Sequence, residues 1–252
     1  MINREALFEI AKFKGLSPKL AELDYLQDVA LFNIYQEFGN KLVFKGGTCL
    51  YKIFQLNRFS EDLDFSATHK FSEKNFFKRL PYFFKLLDMN ATVKVETFEN
   101  TTNVVLAVNG PLFNGSNDSR AKLLFNISSR ERVLLPLERF SYNSRYRELR
   151  TFDLYAMNEQ EILAEKIRAI YSRKKARDIF DLWYLLKVKK VHLEITIINK
   201  KLAGNRIKFE KNSFLAKVEE KKDSWNKDLA ALVAGELLPF DKVTKEIEEC
   251  IS

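Results

Sequence analysis

Two aspartates one residue apart, Asp62 and Asp64, follow a glycine pair, Gly46-Gly47, and a threonine, Thr48, within the stretch FKGGTCLYKIFQLNRFSEDLDFS. In an extended chain, side chains two apart point to the same face. Asp62 and Asp64 therefore project together, with Leu63 and Phe65 turned toward a core. Two such carboxylates repel, and a divalent cation relieves the repulsion; hard oxygen ligands select Mg²⁺ or Mn²⁺. The glycines let the backbone approach a bound group, and their amides open a helix, where a phosphate is favoured. Thr48 adds a hydroxyl. A phosphate cradle beside metal-binding carboxylates makes a nucleoside triphosphate site. It is not a P-loop, because no GK[ST] follows the glycines. A lone glycine pair is commonly a turn and a lone D-x-D an exposed strand, so the reading rests on their order and spacing.

The elements that must position these residues follow from periodicity. Arg4 to Ala11 and Leu20 to Phe38 carry apolar residues at helical spacing, the second run ending at Gly39-Asn40. KLVF, Lys41 to Phe44, is a short apolar strand leading into the glycines. Thr48 to Gln55 resumes a helix, and LDFS, Leu63 to Ser66, is the next strand. Ser72 to Leu87 is helical, with Ser72 as its N-cap. TVKVETF, NVVLAV, AKLLFNIS, RVLLPL and LRTFDLY then alternate or are β-branched, with NG, GSND and SYNS as turns. Beyond Tyr155 the pattern is helical to Ile251. The pattern predicts an α/β part over residues 1–156, including the N-terminal helices, and a helical part over 157–252.

Composition bounds the rest. With 252 residues, 46% hydrophobic and 30% charged, the chain reads as globular. Lys and Arg outnumber Asp and Glu by 42 to 34, a balance that favours polyanionic partners. The two cysteines, Cys49 and Cys250, form no CxxC pattern, so neither a disulfide framework nor a zinc knuckle is indicated. The segment MINREALFEIAKFKG lacks an apolar signal core, and no long apolar run predicts a membrane span. A cytoplasmic location is expected. His69 and His192 have no partner at ligand spacing, and Cys49 reads as packing.

GGTCL followed by RFSEDLDF resembles the nucleotidyltransferase superfamily that includes DNA polymerase β, and within it the abortive-infection toxins of the AbiEii/AbiGii type. A second block, EILAEKIRAIYSRKKARDIFDLWYLL from Glu161 to Leu186, is similar to the family's AEK…RD-x-x-DL signature. The resemblance covers about Leu42 to Leu186. It implies an α+β fold, with a polymerase-β-like core on a mixed sheet and a helical C-terminal domain that completes the active site. It further implies that Gly46, Gly47 and Thr48 hold the triphosphate, that Asp62 and Asp64 bind metal, and that Arg58 neutralises phosphate charge. Lys166 would contact the nucleotide, with Asp178 as the essential acid and Asp181 as the second. The alternative for Glu165, Lys166, Arg177, Asp178 and Asp181 is a set of salt bridges within and between helices.

One position departs from the family. Where members carry a third carboxylate on a later strand, this chain holds Asn126, which cannot accept a proton at neutral pH. Either Asp178 or Glu131 serves as base, or the acceptor loses its proton without one, or the strand register differs. The resemblance implies attack of an acceptor hydroxyl on the α-phosphate of an NTP, with RNA, in particular the tRNA 3′ end, as acceptor, and a cognate antitoxin as partner. Arg173, Lys174, Lys175, Lys200, Lys201 and Lys208 suit an RNA backbone. A protein hydroxyl as acceptor, and a nucleotide- or RNA-binding regulator that has lost catalysis, are the rival readings.

Overall fold

A computed structural model describes residues 1–68, 74–130 and 132–251, with Lys74 described by its backbone alone. The Ser72 cap, His69 and Glu131 lie outside the described residues. The chain forms two compact units. The first comprises Met1–Phe54, Phe59–Val133 and Leu137–Ala156; the second comprises Gln55–Arg58, Leu134–Pro136 and Met157–Ser252.

The first unit is built on a seven-stranded mixed sheet. Its strands are β1 (Leu42–Lys45), β2 (Leu63–Ala67), β3 (Ala91–Phe98), β4 (Thr101–Val108), β5 (Ala121–Ser128), β6 (Glu138–Tyr142) and β7 (Phe152–Ala156). They lie in the order β3-β4-β5-β2-β1-β7-β6. β1 pairs with β2 antiparallel and with β7 parallel, and β2 pairs with β5 parallel. Strict alternation on β5 buries Leu123, Phe125 and Ile127 and leaves Leu124 and Asn126 exposed. Helix α1 (Arg4–Lys14) starts at the Asn3 cap, and α2 (Pro18–Phe38) starts at Ser17, whose side chain accepts from the Leu20 amide. α2 packs on β5 and β7, and α4 (Lys74–Lys85) packs on β3 and β4. Between β1 and β2 lies the short helix α3 (Gly46–Lys52).

RVLLPL is not a strand. Pro136 offers no amide to a ladder, and the Leu134 and Leu135 amides donate to the Glu161 carboxylate at 2.9 Å instead. The strand begins one residue later, at Glu138.

The second unit is helical: α5 (Glu159–Ser172), α6 (Arg177–Trp183), α7 (Ile195–Leu202), α8 (Lys211–Glu219), α9 (Trp225–Leu229) and α10 (Phe240–Cys250). α6 runs on into a wider π-helical turn, Tyr184–Val188. Asn158 caps α5 by accepting from the Gln160 amide. Ile162, Ile167, Phe180, Phe214, Trp225 and Val243 are in its core. No helix among the described residues is long and apolar enough to cross a membrane.

Candidate active site

β1 runs straight into α3 because Gly46 adopts a positive φ of 76°, which an L side chain rarely adopts. β1 and β2 are antiparallel, with Lys45 opposite Asp64. That register brings the Asp64 carboxylate against Gly46: a Cβ at residue 46 would lie 2.5 Å from Asp64 Oδ2. Glycine is therefore required twice over, by the turn and by the approach of the carboxylate. Asp62 and Asp64 are half-buried, while the intervening Leu63 and the following Phe65 are fully buried. The alternation places the carboxylates on the face opposite the core.

Thr48 is fully buried, and its hydroxyl donates to the Asp62 carbonyl. On the neighbouring strand Asn126 lies beside Asp64 in register. Its Nδ2 donates to Asn103 Oδ1 at 2.9 Å, so its carbonyl oxygen is the end outside that bond. Gly46, Gly47, Thr48, Asp62, Asp64 and Asn126 are thus assembled in the first unit.

Among the described residues no group of three or more His, Cys, Asp or Glu could hold a metal ion. The fit of a cation rests on the Asp62 and Asp64 carboxylates, with Asn126 beside Asp64 in register. That set suits Mg²⁺, which is commonly held by one or two carboxylates with substrate phosphates and water as the remaining ligands.

A second cluster lies in the helical unit. Arg58 is 2% exposed and grips Asp181 with two bonds, Nε to Oδ1 and Nη2 to Oδ2, both 2.6 Å. Lys166 Nζ lies 2.6 Å from Asp181 Oδ2 and 3.1 Å from Asp178 Oδ1. Arg173, more than half exposed, donates to Asp178 at 2.6 and 2.7 Å. Burial opposes the charge on Asp178, but Lys166 and Arg173 outweigh it and hold the carboxyl down to about 2. Asp181 is likewise held low, burial being outweighed by Arg58 and Lys166. Burial disfavours the Lys166 ammonium, yet Asp181 and Asp178 keep it charged with a raised pKa.

A third polar cluster escaped the sequence reading. On the buried helix α2, Asp24, Gln27 and Asp28 form one stripe at spacing i, i+3, i+4, all fully buried. Lys52, at the end of α3, lies 2.7 Å from Asp24 Oδ1 and 2.6 Å from Asp28 Oδ1, and Lys14 also pairs with Asp24. Tyr146 donates to Asp24 at 2.7 Å, and Ser144 and Tyr142 donate to Asp28. Burial works against the Asp24 carboxylate, but Lys52 and Lys14 hold its pKa down. Three polar residues on one stripe of a helix with buried neighbours were the available signal.

Of the basic residues expected on an RNA-facing surface, Arg173, Lys174, Lys175, Lys200 and Lys208 are exposed. Lys201 is not: it is 3% exposed and sits 2.6 Å from Glu161 and 3.2 Å from Glu165. Its place in a run of lysines concealed that it falls on the inward face of α7.

The family described as "Nucleotidyl transferase AbiEii toxin, Type IV TA system" matches residues 29–246. The chain belongs to this family. It is a nucleotidyltransferase of a toxin–antitoxin class, with the fold expected of one. The chain is similar to the crystal structure of JHP933 from Helicobacter pylori, at 18% identity and a TM-score of 0.62, over 93% of this chain and 91% of that one. It is also similar to MenT4, a nucleotidyltransferase toxin from Mycobacterium tuberculosis, at 18% identity and a TM-score of 0.69, over 100% of this chain and 89% of that one. At such identity these likenesses speak for the fold. No curated protein sequence matches the chain.

Proposed function

We propose that this AbiEii-family nucleotidyltransferase moves a nucleoside monophosphate from an NTP to the 3′ hydroxyl of an RNA, with a tRNA acceptor end as the target. The observation that carries the reading is the seat of Asp64, its carboxylate against Gly46 and beside Asn126, with Asp62 two residues before it. A divalent cation, Mg²⁺ or Mn²⁺, held by Asp62 and Asp64 would supply positive charge to the triphosphate oxygens. The backbone of Gly46 and Gly47 lets phosphate approach where a side chain would exclude it. Thr48, by holding the Asp62 carbonyl, sets the aspartates relative to the glycines.

In the helical unit, Lys166 is the group assigned to nucleotide phosphate, and Asp181 with Asp178 holds its ammonium charged against burial. Arg58 and Asp181, both buried, act through Lys166 in this reading. A carboxyl held at about 2 is a weak base, so Asp178 is assigned to charge and position and not to proton abstraction. With Asn126 beside Asp64, the acceptor hydroxyl loses its proton to solvent as it attacks the α-phosphate in line, and pyrophosphate leaves. The exposed Arg173, Lys174, Lys175, Lys200 and Lys208 suit an RNA backbone. A cognate antitoxin is the expected protein partner, as the family description implies.

The test is incubation with each α-labelled NTP, Mg²⁺, total RNA and total protein. Label at the 3′ end of tRNA, abolished when that hydroxyl is blocked, is the expected result. Label on protein alone would overturn the RNA acceptor.

A further inference from the structure

We propose that Gln27 is a positioning residue for the metal-binding aspartates, acting on the backbone that delivers Asp62. The proposal rests on the reading of Asp62 and Asp64 as cation ligands. The segment Phe59–Asp62 belongs to no helix or strand, so no ladder directs it toward β2. Its carbonyls need partners nonetheless. Gln27, fully buried on α2, donates Nε2 to two successive carbonyls, Ser60 O at 2.9 Å and Glu61 O at 2.8 Å. Thr48 supplies the next bond, to Asp62 O.

Three consecutive carbonyls are therefore oriented by two side chains, one from α2 and one from α3. Fixing consecutive peptide planes fixes the direction in which Asp62 leaves the chain, and Asp64 follows by strand geometry. The same helix stripe holds the other wall of the site: Asp24 and Asp28 grip Lys52 at the end of α3, the helix that begins with Gly46 and Gly47. α2 thus sets glycines and aspartates from one rigid element. A buried amide at position 27 is costly unless its hydrogen bonds are made, and an apolar side chain of the same length would fill the space without them. The donors are what Gln27 contributes.

Gln27→Met keeps length and removes both donors. The test measures Mn²⁺ binding by the loss of its free-ion EPR signal, in the presence of an α,β-methylene nucleoside triphosphate, together with thermal melting. We expect Gln27→Met to remain folded and bind Mn²⁺ ~10-fold more weakly, as when a group orienting a metal ligand is removed. Asp64→Asn in parallel should lose the bound Mn²⁺. A melting shift with wild-type Mn²⁺ affinity in Gln27→Met, while Asp64→Asn loses binding, would overturn the positioning role and leave the aspartate reading intact. Wild-type Mn²⁺ binding by Asp64→Asn would overturn the aspartate reading and this inference with it. If Gln27→Met is too unstable to purify, Gln27→Asn, whose amide is one methylene short of the two carbonyls, takes the same test.

Discussion

Asp64 on β2 and Asp62 just before that strand are half-buried, with Asp64 against Gly46, whereas on α6 Asp178 and Asp181 are fully buried among Lys166, Arg58 and Arg173. The two pairs share a side chain and differ in what answers their charge. On α6 the answer comes from within the helical unit; on α2, in the first unit, Lys52 meets Asp24 and Asp28 and Lys14 meets Asp24. In the reading proposed above, a bound cation meets the charge of Asp62 and Asp64. Burial together with internal cations marks an acid that holds structure or tunes a neighbour. In the proposed reading, partial exposure beside Gly46 is what distinguishes the acid that meets a ligand.

The largest effect expected from this difference is on stability. Asp181→Asn removes the charge between Arg58 and Lys166 and leaves two buried cations without it. Breaking a buried pair by removing one partner costs about 3–5 kcal/mol. Denaturant unfolding should register a loss of that order, and a loss too small to resolve would place Asp181 with the ligand-facing acids instead.

Asp64→Asn should behave in the opposite way. It changes a half-buried carboxylate into a neutral isostere, so the melting temperature should stay near the wild-type value. Transfer should fall by at least ~10²-fold, as when a principal charge stabiliser is lost from a site. Turnover near wild type in Mg²⁺ would collapse the distinction from the catalytic side.

How much of this was legible beforehand follows from the same physics. Asp62 and Asp64 could be paired from sequence because period two is local and their buried neighbours are apolar. The positive φ at Gly46 and the approach of Asp64 depend on the β1–β2 register, which no local pattern states. Lys166, Asp178 and Asp181 came from a family signature, and their alternative as interhelical ion pairs describes the observed geometry well. Arg58 could not be paired with Asp181, since 123 residues separate them. Lys201 was misread because charge alone does not tell which face of a helix turns inward. Asp24, Gln27 and Asp28 could not be told from solvated polar residues by the apolar spacing of Leu20 to Phe38, yet the helix buries all three.

Acid tests the ion pairs of Asp178 directly. Asp178 has a folded-state pKa of about 2 against an ordinary value of 3.8, so it is depressed by folding. Its contribution is fully present above about pH 4 and is lost as pH falls toward 2, amounting to about 2 kcal/mol. Stability measured across that window should decline in the wild-type protein and decline less steeply in Asp178→Asn, which starts lower. Equal slopes would mean that the Lys166 and Arg173 contacts do not hold the carboxylate.

The smallest effect tests whether burial, and not pairing itself, separates the acids. Arg139 and Asp153 form an ion pair between β6 and β7 with side chains 64% and 41% exposed. Water already solvates both groups, and ordering two flexible side chains offsets much of the attraction. Asp153→Asn should leave both melting temperature and transfer at wild-type values, and added salt should make no difference to the comparison. A melting shift comparable to that of Asp181→Asn would show that pairing alone carries the energy. The contrast between α6 and β2 would then have to be redrawn around contact geometry, with exposure no longer the criterion for a ligand-facing acid.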